Sequence, residues 1–257
     1  MQERHLNREQ YFNEQVQTSL NHYVPYIKGF CGRMPGTVLE IGCGEGGNLL
    51  PFAQYGADVT GVDLAAGKID NARHFFESRG VKGRFIAKDI FKLTELRNTF
   101  SLIIIHDVIE HIYDKELFLK GIKEYLAPDG IVFVAFPPWQ MPFGGHQQIA
   151  SSRILSHLPF IHLLPVGMYR ALLKLFNEPE PVISELIDIK RTNCTVERFL
   201  SVAEDSGYEI LDRRLYFINP NYEVKFGLTP RILWKPFSEI PYLRNFLATS
   251  AFFMLKG

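Results

Sequence analysis

Apolar positions in this chain follow two periods that alternate, and the alternation lays out the fold. Short runs that are apolar throughout, or interrupted once, fall at Val38-Leu39-Glu40-Ile41, Asp58-Val59-Thr60-Gly61-Val62-Asp63 and Gly83-Arg84-Phe85-Ile86-Ala87-Lys88-Asp89-Ile90. Two more follow at Phe100-Ser101-Leu102-Ile103-Ile104-Ile105-His106 and Ile131-Val132-Phe133-Val134-Ala135-Phe136. Continuous apolar centres of this length suit parallel strands buried on both faces. Helical spacing fills the gaps. Ile69, Ala72 and Phe76 share one face of a helix over about 65–79, and Asp114 caps a helix that runs to about Leu126. Strand and helix in alternation predict an α/β fold built on a mostly parallel sheet with helices on both faces.

The flanks extend the pattern. Tyr11, Phe12, Val16, Leu20 and Tyr23 recur at spacings of three to four, so residues 1–34 read as an amphipathic N-terminal helical segment packed on the core. Thr195 opens a helix with Val196, Phe199, Leu200 and Ala203 on one face; Gly207-Tyr208-Glu209-Ile210-Leu211 leads into a sixth strand, and Asn245–Leu255 supplies a seventh. Between the fifth strand and that helix, residues 138–191 replace a short connection. An excursion of this length is usually functional or a small subdomain of its own. Its apolar stretch, from Ile154 to Pro165, is broken by Pro159, His157 and His162. It reads as a helical cap over a substrate site, with peripheral contact to a membrane as the other use of such a surface.

The first strand runs straight into Gly42-Cys43-Gly44-Glu45-Gly46-Gly47-Asn48. Strand, glycine turn and helix frame a nucleotide-binding unit, because glycine tolerates positive φ and lets backbone N–H groups approach a ligand closely. Gly42, Gly44 and Gly47 satisfy G-x-G-x-x-G, whereas Glu40 with Gly42, Gly44 and Gly46 satisfies E-x-G-x-G-x-G. The acid separates the two readings. A pyrophosphate at the helix N-terminus would be repelled by Glu40, while a cationic nucleoside ligand would be attracted. Asp63 stands about 20 residues beyond the turn, at the end of the second strand, where a carboxylate accepts hydrogen bonds from ribose hydroxyls.

Taken together, the turn, Asp63, Asp89-Ile90, the run Asp107-Val108-Ile109-Glu110-His111-Ile112 and Leu126-Ala127-Pro128-Asp129-Gly130 resemble the motifs of class I S-adenosylmethionine-dependent methyltransferases of the ubiquinone-biosynthesis-like type. The resemblance covers residues 36–136. It implies a Rossmann-like seven-stranded sheet whose last strand is antiparallel, within one methyltransferase domain over 1–257. It further implies S-adenosylmethionine as cofactor, S-adenosylhomocysteine as product, and a small-molecule acceptor. By the same resemblance the cofactor is held by Glu40, Gly42, Cys43, Gly44, Asn48, Asp63, Leu64, Asp89, Ile90, His106 and Asp107. Asp89 would accept from the adenine amino group, and Ile90 would pack on the ring. Segments ahead of the glycine turn fold over the cofactor in similar enzymes, which makes Tyr11 a candidate for a lid that touches substrate.

Methyl transfer needs an aligned nucleophile and, for oxygen or nitrogen, a base. His146 lies between two glycines and two glutamines just past the fifth strand, on a loop expected to flex and close on substrate. It is the leading candidate base for an oxygen acceptor, with His111 second and better suited to shaping the pocket. Trp139, beside Pro137 and Pro138, is expected to wall the acceptor site.

Composition narrows the partners. Net charge is zero, with 28 basic and 28 acidic residues, which gives no footprint for nucleic acid. The 3 cysteines form no zinc spacing and no C-x-x-C pair, as expected of free thiols in a reducing, cytoplasmic setting. The polar first residues, His5 among them, read as no signal segment, and no apolar run is long enough to span a bilayer. No cluster of histidines and acids is visible along the chain, so no metal is expected. An NAD(P)-dependent oxidoreductase and a cofactor-binding protein without catalysis remain as rival readings.

Overall fold

The computed structural model describes residues 7–257; residues 1–6, with His5 and the start of the expected N-terminal segment, lie outside the described residues. The sheet comprises β1 (Thr37–Ile41), β2 (Asp58–Asp63), β3 (Arg84–Ala87), β4 (Phe100–His106), β5 (Leu126–Phe136), β6 (Glu209–Ile218), β7 (Arg231–Ile232) and β8 (Ser250–Lys256). The helices are α1 (Arg8–Thr18), α2 (Val24–Cys31), α3 (Leu50–Gln54), α4 (Ala66–Ser78), α5 (Lys115–Lys123) and α6 (Arg153–His157). Then follow α7 (Val166–Leu175), α8 (Glu180–Thr192), α9 (Val196–Asp205), α10 (Asn221–Phe226), α11 (Lys235–Ser238) and α12 (Leu243–Leu247).

All eight strands form one sheet in the order β3-β2-β1-β4-β5-β8-β6-β7. The first five pair in parallel, and β8 runs antiparallel between β5 and β6. The order reverses beside β1, where β1 meets β4, which is where an open α/β sheet offers its crevice. The eighth strand is the two-residue β7, added antiparallel to the edge of β6. Strand side chains alternate between two cores. Leu39, Ile41, Ile103, Ile105, Val132 and Val134 face α5 and α9, while Val38, Leu102, Ile104 and Phe133 face α1, α2 and α4. The unbroken apolar run in β4 thus serves both layers.

Two local expectations change. The N-terminal helical segment passes through a π turn, Ser19–Tyr23, between α1 and α2. The wider turn rotates the downstream face, so Ser19 is buried and Leu20 is exposed, against the simple period; Ser19 Oγ donates to the backbone oxygen of Asn48 at 2.8 Å. Asn245 belongs to α12 and not to the last strand. It is buried, and its Oδ1 accepts from Val196 N at 2.7 Å, which satisfies the first turn of α9 beside the Thr195 cap.

The 138–191 segment is helical and carries a core of its own, formed by Leu155, Tyr169, Leu173, Ile183, Leu186 and Ile187 across α6, α7 and α8. Among the described residues, no helix is long and apolar enough to cross a membrane.

Candidate active site

Three adjoining hollows lie at the carboxyl ends of β1, β2, β4 and β5. The first is a cleft lined by Gly42, Asp63, Leu64, Lys88, Asp89, Ile90, Val108 and Phe118, among others. Its floor is the glycine turn. Gly42 has φ +72, and a Cβ there would fall 2.3 Å from Val108 Cγ2, so turn and post-β4 loop touch only because the side chain is missing. Gly44 also has positive φ, +54, yet a Cβ there would meet nothing within 4 Å. It borders open space of the kind a ligand fills.

Asp63 ties this floor together. Its Oδ2 accepts from Gly44 N at 2.9 Å and its Oδ1 from Ala65 N at 2.8 Å. Each oxygen keeps a further acceptor site, so turn fixation and hydroxyl binding are compatible. Asp89 uses Oδ1 to cap the turn Ile90–Lys92, accepting from Phe91 N at 3.0 Å. Ile90 is buried beneath it, and Leu64 is exposed at the rim. The Cys43 side chain is buried, with Sγ 2.7 Å from where a Cβ on Gly61 would stand.

The second hollow is small and is bordered by Tyr11, Glu14, Gln15, Asn48, His106 and Asp107. Helix α1 roofs it. A Cβ on Gly47 would come within 2.6 Å of both Phe12 O and Gln15 Cβ, so the roof presses directly on the turn. Tyr11 borders this hollow and does not line the larger cavity described below. Below it, Glu40 is fully buried at 1 % exposure; Oε1 accepts from Asn48 Nδ2 at 2.7 Å, while Oε2 and Asn48 Oδ1 have no hydrogen-bond partner among the described residues. Burial pushes the Glu40 carboxyl up to about 8, against the pull of the Asn48 amide, and the charge of Asp63 adds to the rise. His106 Nε2 lies 2.8 Å from Tyr23 OH, which donates to Asn221 Oδ1 at 2.9 Å. Burial depresses the His106 pKa.

The third hollow is a cavity of about 510 Å³. One wall comes from the insertion, through Met141, Pro142, Phe143, His146 and His157; the other comes from Asn221, Tyr222, Lys225, Phe226 and Leu228 of α10 and its flanks. The sequence reading did not reach this second wall. In the sequence Asn221, Glu223 and Lys225 alternate there with Tyr222, Val224 and Phe226, and no motif marks the segment. Asp107 borders both this cavity and the second hollow, with φ +52 turning its backbone where the two meet.

Two expectations about the loop after β5 are corrected. Trp139 does not line the cavity. Its ring stands edge-on to His162, with centroids 4.6 Å apart, and carries the Lys190 ammonium 5.4 Å from its centroid; its backbone N donates to Cys194 O at 2.8 Å. The glycines before His146 are not hinges. Both are buried, and a Cβ would lie 2.3 Å from Trp139 O at Gly144 and 2.2 Å from His162 Cβ at Gly145. They allow close packing, and the loop they build carries His146 at φ +53.

His146 and His111 come together. Their rings meet edge-on with centroids 5.0 Å apart, and Glu110 Oε1 lies 3.9 Å from His146 Nε2 and 4.0 Å from His111 Nε2. Burial lowers the His146 pKa to about 4, helped by neighbouring His111, and lowers that of His111 as well. Burial thus favours the neutral form of both imidazoles. The expectation that histidines and acids form no cluster is thus overturned: the fold joins one turn after β4 to a loop far along the chain.

Comparison with known proteins agrees with this geometry. A family model described as a methyltransferase domain matches residues 38–130. The ubiquinone biosynthesis O-methyltransferase of Rhizobium johnstonii is 30 % identical over 183 residues, covering 69 % of this chain and 72 % of that protein. The enzyme of the same description from Chelativorans sp. is 36 % identical over 123 residues, which is 48 % of each chain; the chain thus spans about half the length of several of the curated relatives it matches. The plantazolicin methyltransferase BamL, solved with a triazolic desmethylPZN analog and SAH, shares the fold with a TM-score of 0.61 at 13 % identity, over 98 % of this chain and 88 % of that one. The chain belongs to the class I S-adenosylmethionine-dependent methyltransferases.

Proposed function

We propose that this chain transfers a methyl group from S-adenosylmethionine to an oxygen of a small molecule seated in the cavity between the insertion and α10. The observation that carries the reading is Asp107, which borders both that cavity and the hollow roofed by α1. A methyl donor and an acceptor can therefore meet there without crossing protein. The residues fit the cofactor. Glu40 Oε2 and Asn48 Oδ1 are buried acceptors without partners, as an ammonium-bearing ligand requires. Gly44 borders open space, and Asp63 and Asp89 each retain acceptor capacity at the adenosine end.

When bound, S-adenosylmethionine supplies an electrophilic methyl. The protein's part is alignment, which accounts for much of the rate in a displacement of this kind. The apolar side chains of Met141, Phe143, Phe226 and Leu228 exclude water around the acceptor. His146, unprotonated and on the cavity wall, receives the hydroxyl proton. The oxygen preference is supported by His146 and by the O-methyltransferase relatives.

The test begins with calorimetric titration of the purified protein with S-adenosylhomocysteine, and with NADH in parallel. Micromolar binding of the former alone is expected, followed by transfer of labelled methyl from S-adenosylmethionine into hydroxylated small molecules. Binding of NADH instead would return the oxidoreductase reading. Label recovered only on nitrogen or carbon would remove the oxygen assignment. Asp63→Ala is expected to weaken S-adenosylhomocysteine binding by at least about tenfold, since two charge-assisted hydrogen bonds are lost; unchanged affinity would end the ribose role of Asp63.

A further inference from the structure

We propose that the π turn Ser19–Tyr23 couples the cofactor hollow to the acceptor cavity, so that cofactor binding beneath α1 sets the position of the wall formed by α10, with Ser19, His22 and Tyr23 as the positioning residues. One short turn reaches three parts of the site. Ser19 Oγ donates to the backbone oxygen of Asn48, at the end of the glycine turn, at 2.8 Å. His22 Nε2 lies 2.7 Å from Glu223 Oε2 on α10. Tyr23 OH donates to Asn221 Oδ1, in the first turn of α10, and stands 2.8 Å from His106 Nε2 at the end of β4. The Tyr23 ring packs against Phe133 and Phe252, which anchors the turn to the sheet. Interruptions of this kind in a helix are frequent at functional sites.

Helix α10 depends on such ties. It has 6 residues, too few to hold a helix on its own, and none of its residues is fully buried. It packs against α1, the roof of the cofactor hollow. A shift of that roof is therefore a shift of the acceptor wall.

The hollow supplies the displacement. Its volume is about 20 Å³, which is room for roughly one water molecule. The amino-acid end of S-adenosylmethionine is larger, so the roof has to move to admit it. Roof and floor both carry buried oxygens without a hydrogen-bond partner among the described residues: Glu14 Oε2 and Gln15 Oε1 on α1, Glu40 Oε2 and Asn48 Oδ1 below. Together they can hold an ammonium, which ties the moved roof to the floor. The π turn carries that position on to α10, whose Asn221 and Lys225 border both the hollow and the acceptor cavity. The coupling rests on the cofactor reading above and makes binding ordered, cofactor before acceptor.

Hydrogen exchange read by mass spectrometry tests the coupling with S-adenosylhomocysteine as the only ligand. In the parent, saturating ligand is expected to slow exchange over residues 221–228 by at least about tenfold. Direct contact with the ligand would give the same protection, and two variants separate the cases. Tyr23→Phe keeps the packed ring and removes the hydroxyl. His22→Ala removes the contact with Glu223 at a partly exposed position and leaves the core untouched. Neither residue borders the cofactor hollow, so each variant is expected to bind S-adenosylhomocysteine within about twofold of the parent. Each should lose most of the protection over 221–228 while keeping that over the glycine turn, 42–48. The exchanged pair, His22→Glu with Glu223→His, should restore it. Equal protection of 221–228 in the parent and both variants would overturn the coupling, as would no protection there in a parent that binds the ligand. No binding of S-adenosylhomocysteine by the parent would remove the proposed function itself, and the coupling with it.

Discussion

Gly42→Ala is expected to lower the thermal transition by about 5–15 °C and to weaken S-adenosylhomocysteine binding by more than about tenfold. Two separate costs are imposed. At φ +72 any side chain is strained, by about 1–2 kcal/mol. The added methyl would also lie 2.3 Å from Val108 Cγ2. Valine is stiff about its first side-chain torsion, so relief must come from the backbone of the turn or of the loop after β4, at a further cost of about 1–3 kcal/mol. Both backbones line the cofactor cleft, and a displacement there reaches the ligand as well as the fold. Scanning calorimetry with a parallel titration checks the result. The double variant Gly42→Ala with Val108→Ala isolates the contact, and should recover the packing part of the loss while leaving the strain. An unchanged transition in the single variant would show that the turn does not hold the geometry described.

The same contact shows why some of the site was legible in sequence and some was not. Gly42, Gly44, Asp63 and Asp89 lie in or beside strands whose spacing is set by the pleat and the crossover, so linear distance maps onto position in space. The parallel order β3-β2-β1-β4-β5 follows from the same regularity. The acceptor cavity has no such period. Its second wall, Asn221 to Leu228, sits between β6 and β7, and is placed by packing of α10 against α1. Tyr23 OH to Asn221 Oδ1 and His22 Nε2 to Glu223 Oε2, at 2.9 and 2.7 Å, are contacts that no spacing rule anticipates. Gly144 and Gly145 misled for a related reason: adjacent glycines suggest freedom, but here they make room for the Trp139 backbone and the His162 ring. The meeting of His146 with Glu110 and His111 depends on that packed loop, and so it could not be read from composition. Leu20 failed because the period of 3.6 does not survive a π turn.

Binding of S-adenosylhomocysteine at pH 7 is expected to release about 0.9 proton, with affinity rising about tenfold from pH 6 to pH 7. The cause is Glu40. In the free protein burial holds its carboxyl at about 8, so at neutral pH it is largely protonated. Its Oε2 is the orphaned acceptor, and an ammonium beside it restores the charged form and expels the proton. The sign for the free fold follows from the same shift. Unfolded, the group titrates near 4.3; folded, near 8. Between those values the native state binds more protons, so Glu40 makes the free protein less stable as pH rises through that window, by at most about 1.4 kcal/mol per unit. Above pH 8 its contribution is flat. Saturating ligand should therefore raise the thermal transition more at pH 7.5 than at pH 6. Titration in buffers of differing ionisation enthalpy counts the proton directly. Glu40→Gln keeps the shape and removes the ionisation, so it should release none and should bind with an affinity that no longer depends on pH. Release of no proton by the parent protein would place the ligand's cation elsewhere, and would leave Glu40 and Asn48 as a buried pair that shapes the turn without touching what it holds.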